Sequence, residues 1–574
     1  MKIALAQLNP TVGDLQRNSE SIIRSIEQAR QQGAELVVFS ELAICGYPPR
    51  DLLLAEGFVE QCAQHAKEIG TKHSKGICVI IGTPLPLEPD GVCSSDANGS
   101  DARIANSLVV YKDNTFVGYY DKRLLPTYDV FDEDRYFTAG REPRVIEIHG
   151  CKVGLAICED LWMGHDAGFA QRYCEMADPI TELVEAGAEI IIAPSASPFA
   201  AGKHTRHREI ISEHAKRHAV PVLSVNQVGA NDDLVFAGGS CAVDARGCLA
   251  WRAPFFSEQI SIIDHSTLEP TNPPEPGENR MIIEALTLGI RDYLRKCGFS
   301  KACVGLSGGI DSALVATLAV RALGADAVTG ASMPGQFSSQ GSKDDAYALA
   351  ENLGIECVSM PIEPGFSAIS SVLDPSFEQL GQPALGVHLP DLAQENLQSR
   401  IRGTMMMALS NRTGALVLTT GNKSEIAVGY CTLYGDMNGG LAVIADVPKT
   451  RVFSLCRSIN EHADELGFPC PPIPLSTIEK PPSAELAPDQ LDSDSLPDYE
   501  TLDEIISRHV ERHQNAASIL AQTGFDRDTV NRICALIDRN EYKRQQMAIG
   551  LRVTSKAFGS GRRMPVAQRW TRTM

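Results

Sequence analysis

Along the first 265 residues, apolar and polar positions alternate between two patterns. Short runs dense in Val and Ile at Lys2–Leu8, Glu35–Phe39, Ile77–Ile81, Lys152–Ile157, Glu189–Ala193 and Val220–Val225 predict strands. Strands covered on both faces read as continuous apolar runs of this kind. Amphipathic stretches such as Ser19–Gln32 and Pro179–Ala186 lie between them and predict helices. The alternation predicts an α/β architecture in which helices cover a sheet. Gly91–Asp101 (GVCSSDANGSD) is polar and Gly-rich and predicts a surface loop.

The pattern breaks at Leu268–Glu278, LEPTNPPEPGE, where four prolines exclude a helix or a central strand. This linker, centred on residues 266–278, separates a domain at 1–265 from one at 279–574. Beyond it, Asn279–Cys297 predicts a helix, and Ala302–Leu306 a strand running straight into SGGIDS. Strand and helix then alternate to about residue 465. Pro481–Asp498, rich in Pro, Asp and Ser, reads as an irregular loop that either closes over a site or is simply disordered.

Composition narrows the function class. The formal net charge of −20 argues against sequence-independent nucleic-acid binding, which needs basic surface. No apolar run approaches the roughly 20 residues of a membrane span. MKIALAQLNPTVGD meets turn residues at once and lacks a cationic leader, so the expected location is cytoplasmic. The 16 cysteines include no C-x-x-C pair, in keeping with a reducing compartment and mostly structural thiols.

Three segments of the first domain carry chemistry in one layout. Glu41 follows an apolar strand in VVFSELAICGYPPRD, Lys122 opens the turn-rich YYDKRLLPTYDVFDEDRYF, and Cys158 caps the strand of VGLAICEDLW. Ligands of open α/β folds bind beyond the carboxyl ends of strands. Glu, Lys and Cys in this order resemble the nitrilase, or carbon–nitrogen hydrolase, superfamily, which implies a four-layer α-β-β-α sandwich. An amide carbonyl is a poor electrophile, so its attack needs a thiolate. The resemblance makes Cys158 the nucleophile, Glu41 the general base and Lys122 the group that stabilises the oxyanion. It also implies Tyr47, Tyr128, Glu159, Ser197 and Lys203 as residues that hold a glutamine.

In the second domain, KACVGLSGGIDSALVATLAV runs from strand to helix through adjacent glycines. Glycines allow a close backbone approach, and free N–H groups at a helix start cradle anions. No Lys follows as in the Walker A loop. SGGIDS instead resembles the loop of the N-type ATP pyrophosphatases, a doubly wound parallel-sheet fold. LTTGNKSEIAVGYCTLYGDMNGGLAVIADVPKT resembles the ammonia-activating NAD synthetases, through Thr420–Glu425, Tyr434–Asp436 and Lys449. The whole chain therefore resembles the glutamine-dependent NAD synthetase family. That family converts deamido-NAD, ATP and glutamine to NAD, AMP, diphosphate and glutamate, passing ammonia between its sites.

The resemblance assigns Asp311 and Glu425 to Mg²⁺, and Ser307, Gly308, Gly309, Asp311 and Ser312 to the pyrophosphate of ATP. It assigns Arg402 and Thr420 to ATP, and Asp436, Lys449 and Arg400 to the dinucleotide. Ser483 stands in the loop where the family usually has Thr, and Lys543, Arg562 and Arg563 are further candidate phosphate contacts. The implied partners are these small molecules and further copies of the chain, with no nucleic acid and no membrane. The competing readings are an amidotransferase acting on XMP or tRNA, an enzyme whose first domain only docks, and a non-catalytic nucleotide sensor.

Overall fold

The structure, a computed structural model, describes residues 1–87, 103–163, 173, 176–385, 391–488 and 490–570. The Gly91–Asp101 stretch lies outside the described residues, as does position 489 of the proline-rich loop. The chain divides into two compact units, Met1–Pro276 and Gly277–Met574.

In the first unit the elements are β1 (Lys2–Gln7), α1 (Leu15–Gln31), β2 (Leu36–Phe39), α2 (Phe58–His73), β3 (Cys78–Leu87), β4 (Arg103–Lys112) and β5 (Thr115–Asp121). They continue with β6 (Arg144–Ile148), β7 (Cys151–Leu155), α3 (Pro179–Glu185), β8 (Ile190–Ser195), α4 (Lys203–His218) and β9 (Val222–Asn226). A hairpin of β10 (Val228–Asn231) and β11 (Leu234–Ala237) follows, then β12 (Cys241–Val243), β13 (Leu249–Arg252) and β14 (Gln259–Asp264).

Two six-stranded sheets result, ordered β14-β1-β2-β3-β4-β5 and β13-β12-β9-β8-β7-β6. Their layering follows from the two-residue period of a strand. Ile3, Leu5, Leu36, Val38 and Ile80 of the first sheet pack against Val153, Leu155, Ile190, Ile192 and Val225 of the second. Their neighbours Ala4, Ala6, Val37, Phe39 and Val79 point the other way, onto Ile22 and Ile26 of α1 and Ala66 and Ile69 of α2. Ile191, Ala193 and Val222 face Ile180 and Leu183 of α3 and Ile210 and Ile211 of α4. The stack is thus helix, sheet, sheet, helix.

Helix α1 begins four residues before the expected Ser19. Asp14 accepts from Arg17 N and caps it, while Ser19 Oγ bonds back to the Leu15 carbonyl at 2.6 Å. A serine satisfied in this way lies inside a helix rather than at its start.

In the second unit, α5 (Glu278–Lys296) leads into β15 (Ala302–Gly305), α6 (Ile310–Leu323), β16 (Val328–Ser332), α7 (Gln340–Leu353) and β17 (Glu356–Ser359). Helices α8 (Glu363–Gln379) and α9 (Leu392–Thr413) precede β18 (Leu416–Thr419), α10 (Lys423–Val428), β19 (Leu441–Ala442) and α11 (Lys449–Glu461). The sheet is ordered β17-β16-β15-β18-β19 and all its pairings are parallel. The chain leaves β15 on one side and returns on the other at β18. Such a switch point opens a crevice at the strands' carboxyl ends. SGGIDS follows β15, and Thr420 follows β18. No helix among the described residues is long and apolar enough to cross a membrane.

Candidate active sites

Glu41 stands one residue beyond Ser40, just past β2, and its carboxylate is fully buried. Its neighbour strand β3 approaches so closely that a Cβ on Gly82 would meet the Ser40 carbonyl oxygen at 2.4 Å. Only glycine fits there. Glu41 Oε1 accepts from Lys122 Nζ and from Asn106 Nδ2, each at 2.7 Å, and Oε2 accepts from the Ala196 N–H at 3.0 Å. Lys122 Nζ also donates to Glu133 Oε1 at 2.8 Å, and Tyr47 Oη donates to the same oxygen at 2.9 Å.

Burial alone would lower the pKa of Lys122, but Glu133 and Glu41 outweigh it and hold the ammonium well above the ordinary lysine range. Burial pushes Glu133 up to about 7, against the pull of Lys122.

Cys158 follows β7 on a single 3₁₀ turn, Cys158–Leu161, with a left-handed φ of +42°. A side chain rarely adopts that backbone, and such strain is concentrated at functional sites. Burial raises the thiol pKa, and Glu41 adds to this while Lys122 opposes it. Burial thus favours the thiol over the thiolate.

Asp160 ties the segments together. Its Oδ1 accepts from the N–H groups of Arg123 and Leu124 at 3.1 and 2.9 Å, and Oδ2 from Ile157 N and Tyr120 Oη, both at 2.8 Å. One buried carboxylate therefore fixes the strand end bearing Cys158 against the chain bearing Lys122.

Tyr128 Oη bonds both Glu159 carboxylate oxygens at 3.1 Å, and Tyr173 Oη reaches Oε1 at 3.2 Å. Burial raises Glu159 to about 7, with Lys122, Tyr128 and Lys203 working the other way. Lys203, first residue of α4, has its Nζ 5.6 Å from the Phe131 ring centre and 5.7 Å from that of Trp162, and donates to the Pro198 carbonyl. Ser197 is held by its own backbone, whose N–H reaches Asn226 Oδ1 at 2.9 Å. Of the five residues assigned to glutamine, Tyr47 is turned to Glu133. Glu133, Asn106 and Asp160 escaped the sequence reading.

In the second unit one cavity is lined by Ser307, Gly309, Asp311, Arg402, Thr420, Glu425, Asp436, Lys449 and Ser483. An adjoining one shares Ser307, Asp311, Thr420, Glu425 and Asp436, and adds Ser312. Gly308 has φ +76°, and a Cβ on it would meet the Ser342 carbonyl oxygen of α7 at 2.1 Å. Ser307 Oγ receives the Gly309 N–H at 3.2 Å and lies 3.2 Å from Ser312 Oγ.

Asp311 and Glu425 converge on a cation already on the chain. Lys449 Nζ lies 2.5 Å from Asp311 Oδ2 and 3.1 Å from Glu425 Oε1. Asn422 donates to Asp311 Oδ1 at 2.9 Å while capping α10 through the Glu425 N–H. Burial lifts Glu425 to about 7, and the nearby Lys449 opposes this. Burial also lifts Asp436 to about 6, where its Oδ1 accepts the Thr432 N–H at 2.8 Å. Burial lowers the pKa of Arg402, which donates to the Met333 carbonyl.

The proline-rich loop is folded onto this cavity. Pro481, Pro482, Ser483, Ala484 and Glu485 line it, and Glu485 accepts from Ser342 Oγ at 2.7 Å and Ser339 Oγ at 2.9 Å.

Gly308 and four basic candidates lie outside the lining of both cavities. Arg400 donates to the Leu433 carbonyl, and Lys543 donates to the carbonyls of Gly429 and Cys431, each at 2.8 Å. Arg562 is buried against Glu541 and over the Phe558 ring. Arg563 is the fourth.

Comparison with known proteins identifies the family of each unit. The Carbon-nitrogen hydrolase family matches residues 2–270 and the NAD synthase family residues 282–547. An amide-hydrolysing unit joined to an ATP-dependent amide-forming unit defines a carbon–nitrogen ligase with glutamine as amido donor. The glutamine-dependent NAD(+) synthetase of Synechocystis sp. is 46% identical over 572 residues, covering 99% of this chain and 98% of that protein. Its counterpart in Acinetobacter baylyi is 39% identical, with the same coverage of 99% and 98%. The solved structure of the enzyme from Acinetobacter baumannii, in complex with adenosine diphosphate, superposes with a TM-score of 0.73 at 36% identity, each chain 99% covered. The chain belongs to the glutamine-dependent NAD(+) synthetase family.

Proposed function

We propose that the chain hydrolyses glutamine at the Glu41–Lys122–Cys158 site and uses the ammonia at the second site to convert deamido-NAD to NAD. The observation that carries this reading is the cavity that gathers Ser307, Asp311, Thr420, Glu425, Asp436 and Lys449 at the sheet's switch point.

At the first site Glu159, Tyr128, Ser197 and Lys203 hold glutamine. Because burial favours the thiol, Glu41 takes the thiol proton as Sγ bonds to the amide carbon. Lys122 faces the negative charge that grows on the carbonyl oxygen, and stays charged through Glu133. Glu41 returns the proton to the departing ammonia and then activates the water that cleaves the thioester to glutamate. Tyr47 acts through Glu133 and is a positioning residue.

At the second site the pyridine carboxylate attacks the α-phosphorus of ATP, releasing pyrophosphate and leaving an acyl adenylate. Ammonia then attacks the acyl carbon and AMP departs. The N–H groups of Gly308 and Gly309 at the start of α6, with Ser307 and Ser312, hold the pyrophosphate. Arg402 and Thr420 contact ATP, and Asp436, Lys449 and Arg400 orient the dinucleotide. Lys543 supports the 429–431 turn beside them, and Ser483 brings a hydroxyl to the loop face of the cavity.

Two partly buried carboxylates meeting on one ammonium form a hard-oxygen site that fits Mg²⁺, so Asp311 and Glu425 would hold that ion. Bound there, Mg²⁺ would offset phosphate charge and strengthen pyrophosphate as a leaving group.

Free, buried thiols at Cys45, Cys78, Cys158, Cys241, Cys303 and Cys456 support a reducing, cytoplasmic setting. Self-association rests on the family resemblance and is tested by sedimentation velocity. The function is tested by incubating the protein with deamido-NAD, MgATP and glutamine. NAD, AMP, pyrophosphate and glutamate are expected; ADP with orthophosphate would overturn it.

A further inference from the structure

The outer helices of the first unit carry a group of donor atoms that the glutaminase chemistry does not use. Asp178, His214 and His218 each bring one ligand atom to within 4.8 Å of the others. Asp178 caps α3, and its Oδ1 accepts from the Ile180 and Thr181 N–H groups. Its Oδ2 lies 3.8 Å from Arg217 Nη1. The two histidines stand one turn apart at the end of α4, with rings stacked at 6.2 Å and 10°.

His214 is 2% exposed, and its Nε2 lies 2.9 Å from the Leu161 carbonyl oxygen. A carbonyl oxygen only accepts, so Nε2 carries the proton and Nδ1 is left as a lone-pair atom. That Nδ1 is buried with no hydrogen-bond partner, and so is Nε2 of His218. Buried polar atoms of this kind are rare and call for a ligand or water.

We propose that Asp178, His214 and His218 form a binding site for a divalent first-row transition ion such as zinc, clamping the start of α3 to the end of α4. Two imidazole nitrogens and a carboxylate oxygen are the donor set such ions take, with a fourth position left to water. The hydrogen bond from His214 to a backbone carbonyl is the outer contact that orients metal-bound histidines. Bonds of about 2.0–2.2 Å in a tetrahedron put ligand atoms roughly 3.4 Å apart, so the group tightens on binding. His218, half-exposed in the last helical turn, supplies that movement. Arg217 is 55% exposed, and its long contact to Asp178 gives way to the ion.

The site is structural, and its position gives it reach. Helix α4 begins with Lys203, and Leu161 closes the turn that begins at Cys158. A metal at the far end of α4 braces the helix that carries Lys203 toward the Trp162 ring.

The test uses the full chain, stripped with chelator and titrated with Co²⁺, whose visible absorption reports tetrahedral coordination. Wild type, His218→Ala and Asp178→Asn are compared; the first removes a half-exposed ring, and the second preserves a capping oxygen, so both fold. Wild type is expected to bind one equivalent more than either variant. Zn²⁺ is expected to raise the unfolding midpoint of wild type by about 5 °C and to leave that of His218→Ala unmoved. His218→Cys, which restores a ligand atom, recovers the lost equivalent. Equal stoichiometry and equal thermal shifts in wild type and His218→Ala would overturn the proposal.

Discussion

Glu133 holds the Lys122 ammonium at 2.8 Å, inside a pocket from which both side chains are sealed off from water. The pair explains how a lysine beside a buried thiol stays charged. Removing the charge from Glu133 leaves Lys122 with Glu41 alone, and Glu41 is the group that must move a proton. Glu133→Gln is therefore expected to lower glutaminase kcat by about 10²–10³-fold, the scale of losing one oxyanion-stabilising group. The ammonium-driven reaction is the control and stays unchanged. A glutaminase kcat within twofold of wild type would refute this role.

A methyl group at position 308 would collide with a backbone carbonyl of α7 at 2.1 Å, on a residue whose φ of +76° already disfavours any side chain. Gly308→Ala should abolish ATP-dependent NAD formation while glutamine hydrolysis continues. Calorimetric titration with ATP checks it: the expected result is loss of measurable binding.

Asp311→Asn removes one of the two carboxylates that meet at Lys449. The Mg²⁺ concentration needed for half-maximal synthetase activity should rise about tenfold or more, the scale found for lost support at metal sites. Titrating MgCl₂ at fixed ATP reads this directly, and an unchanged midpoint would place the ion elsewhere.

Burial pushes Glu159 up to about 7, so its carboxylate is half-ionised there and loses charge as the pH falls further. If it anchors the amino end of glutamine, the charged form is the binding form. KM for glutamine should then be flat above pH 7 and climb about tenfold per unit below it. Glu159→Gln should show a high KM with no such slope. A wild-type KM constant from pH 6 to 8 contradicts the assignment.

What could be read in the chain beforehand was local. Apolar runs such as Lys2–Leu8 and Val220–Val225 declare strands because they are buried on both faces, and SGGIDS declares its turn by its glycines. Strand β4 was hidden, because Asn106, Ser107 and Lys112 cut its apolar run to Leu108–Tyr111; its pairing with β3, such as Ile80 with Val110, is made at a distance.

Charged residues hid best. Glu133 lies in DEDR, which reads as a solvated acidic run until long-range folding encloses it beside Lys122. Lys423, within TGNKSE, is wholly buried and pairs with Asp446 and Glu511, pinning the C-terminal segment. Arg562 resembles a phosphate contact in sequence, yet is held by Glu541. In each case the deciding partner lies outside the local motif, 11 residues away for Glu133, 21 for Arg562 and 88 for the Glu511 that meets Lys423.

The most direct test of the account follows the nitrogen. Wild type and Cys158→Ala are incubated with deamido-NAD, MgATP, glutamine labelled with ¹⁵N at the amide, and unlabelled ammonium chloride, and the NAD carboxamide is read by mass spectrometry. The account predicts ¹⁵N in the carboxamide from wild type, and unlabelled NAD alone from Cys158→Ala. Labelled NAD from Cys158→Ala, or none from wild type, would contradict it.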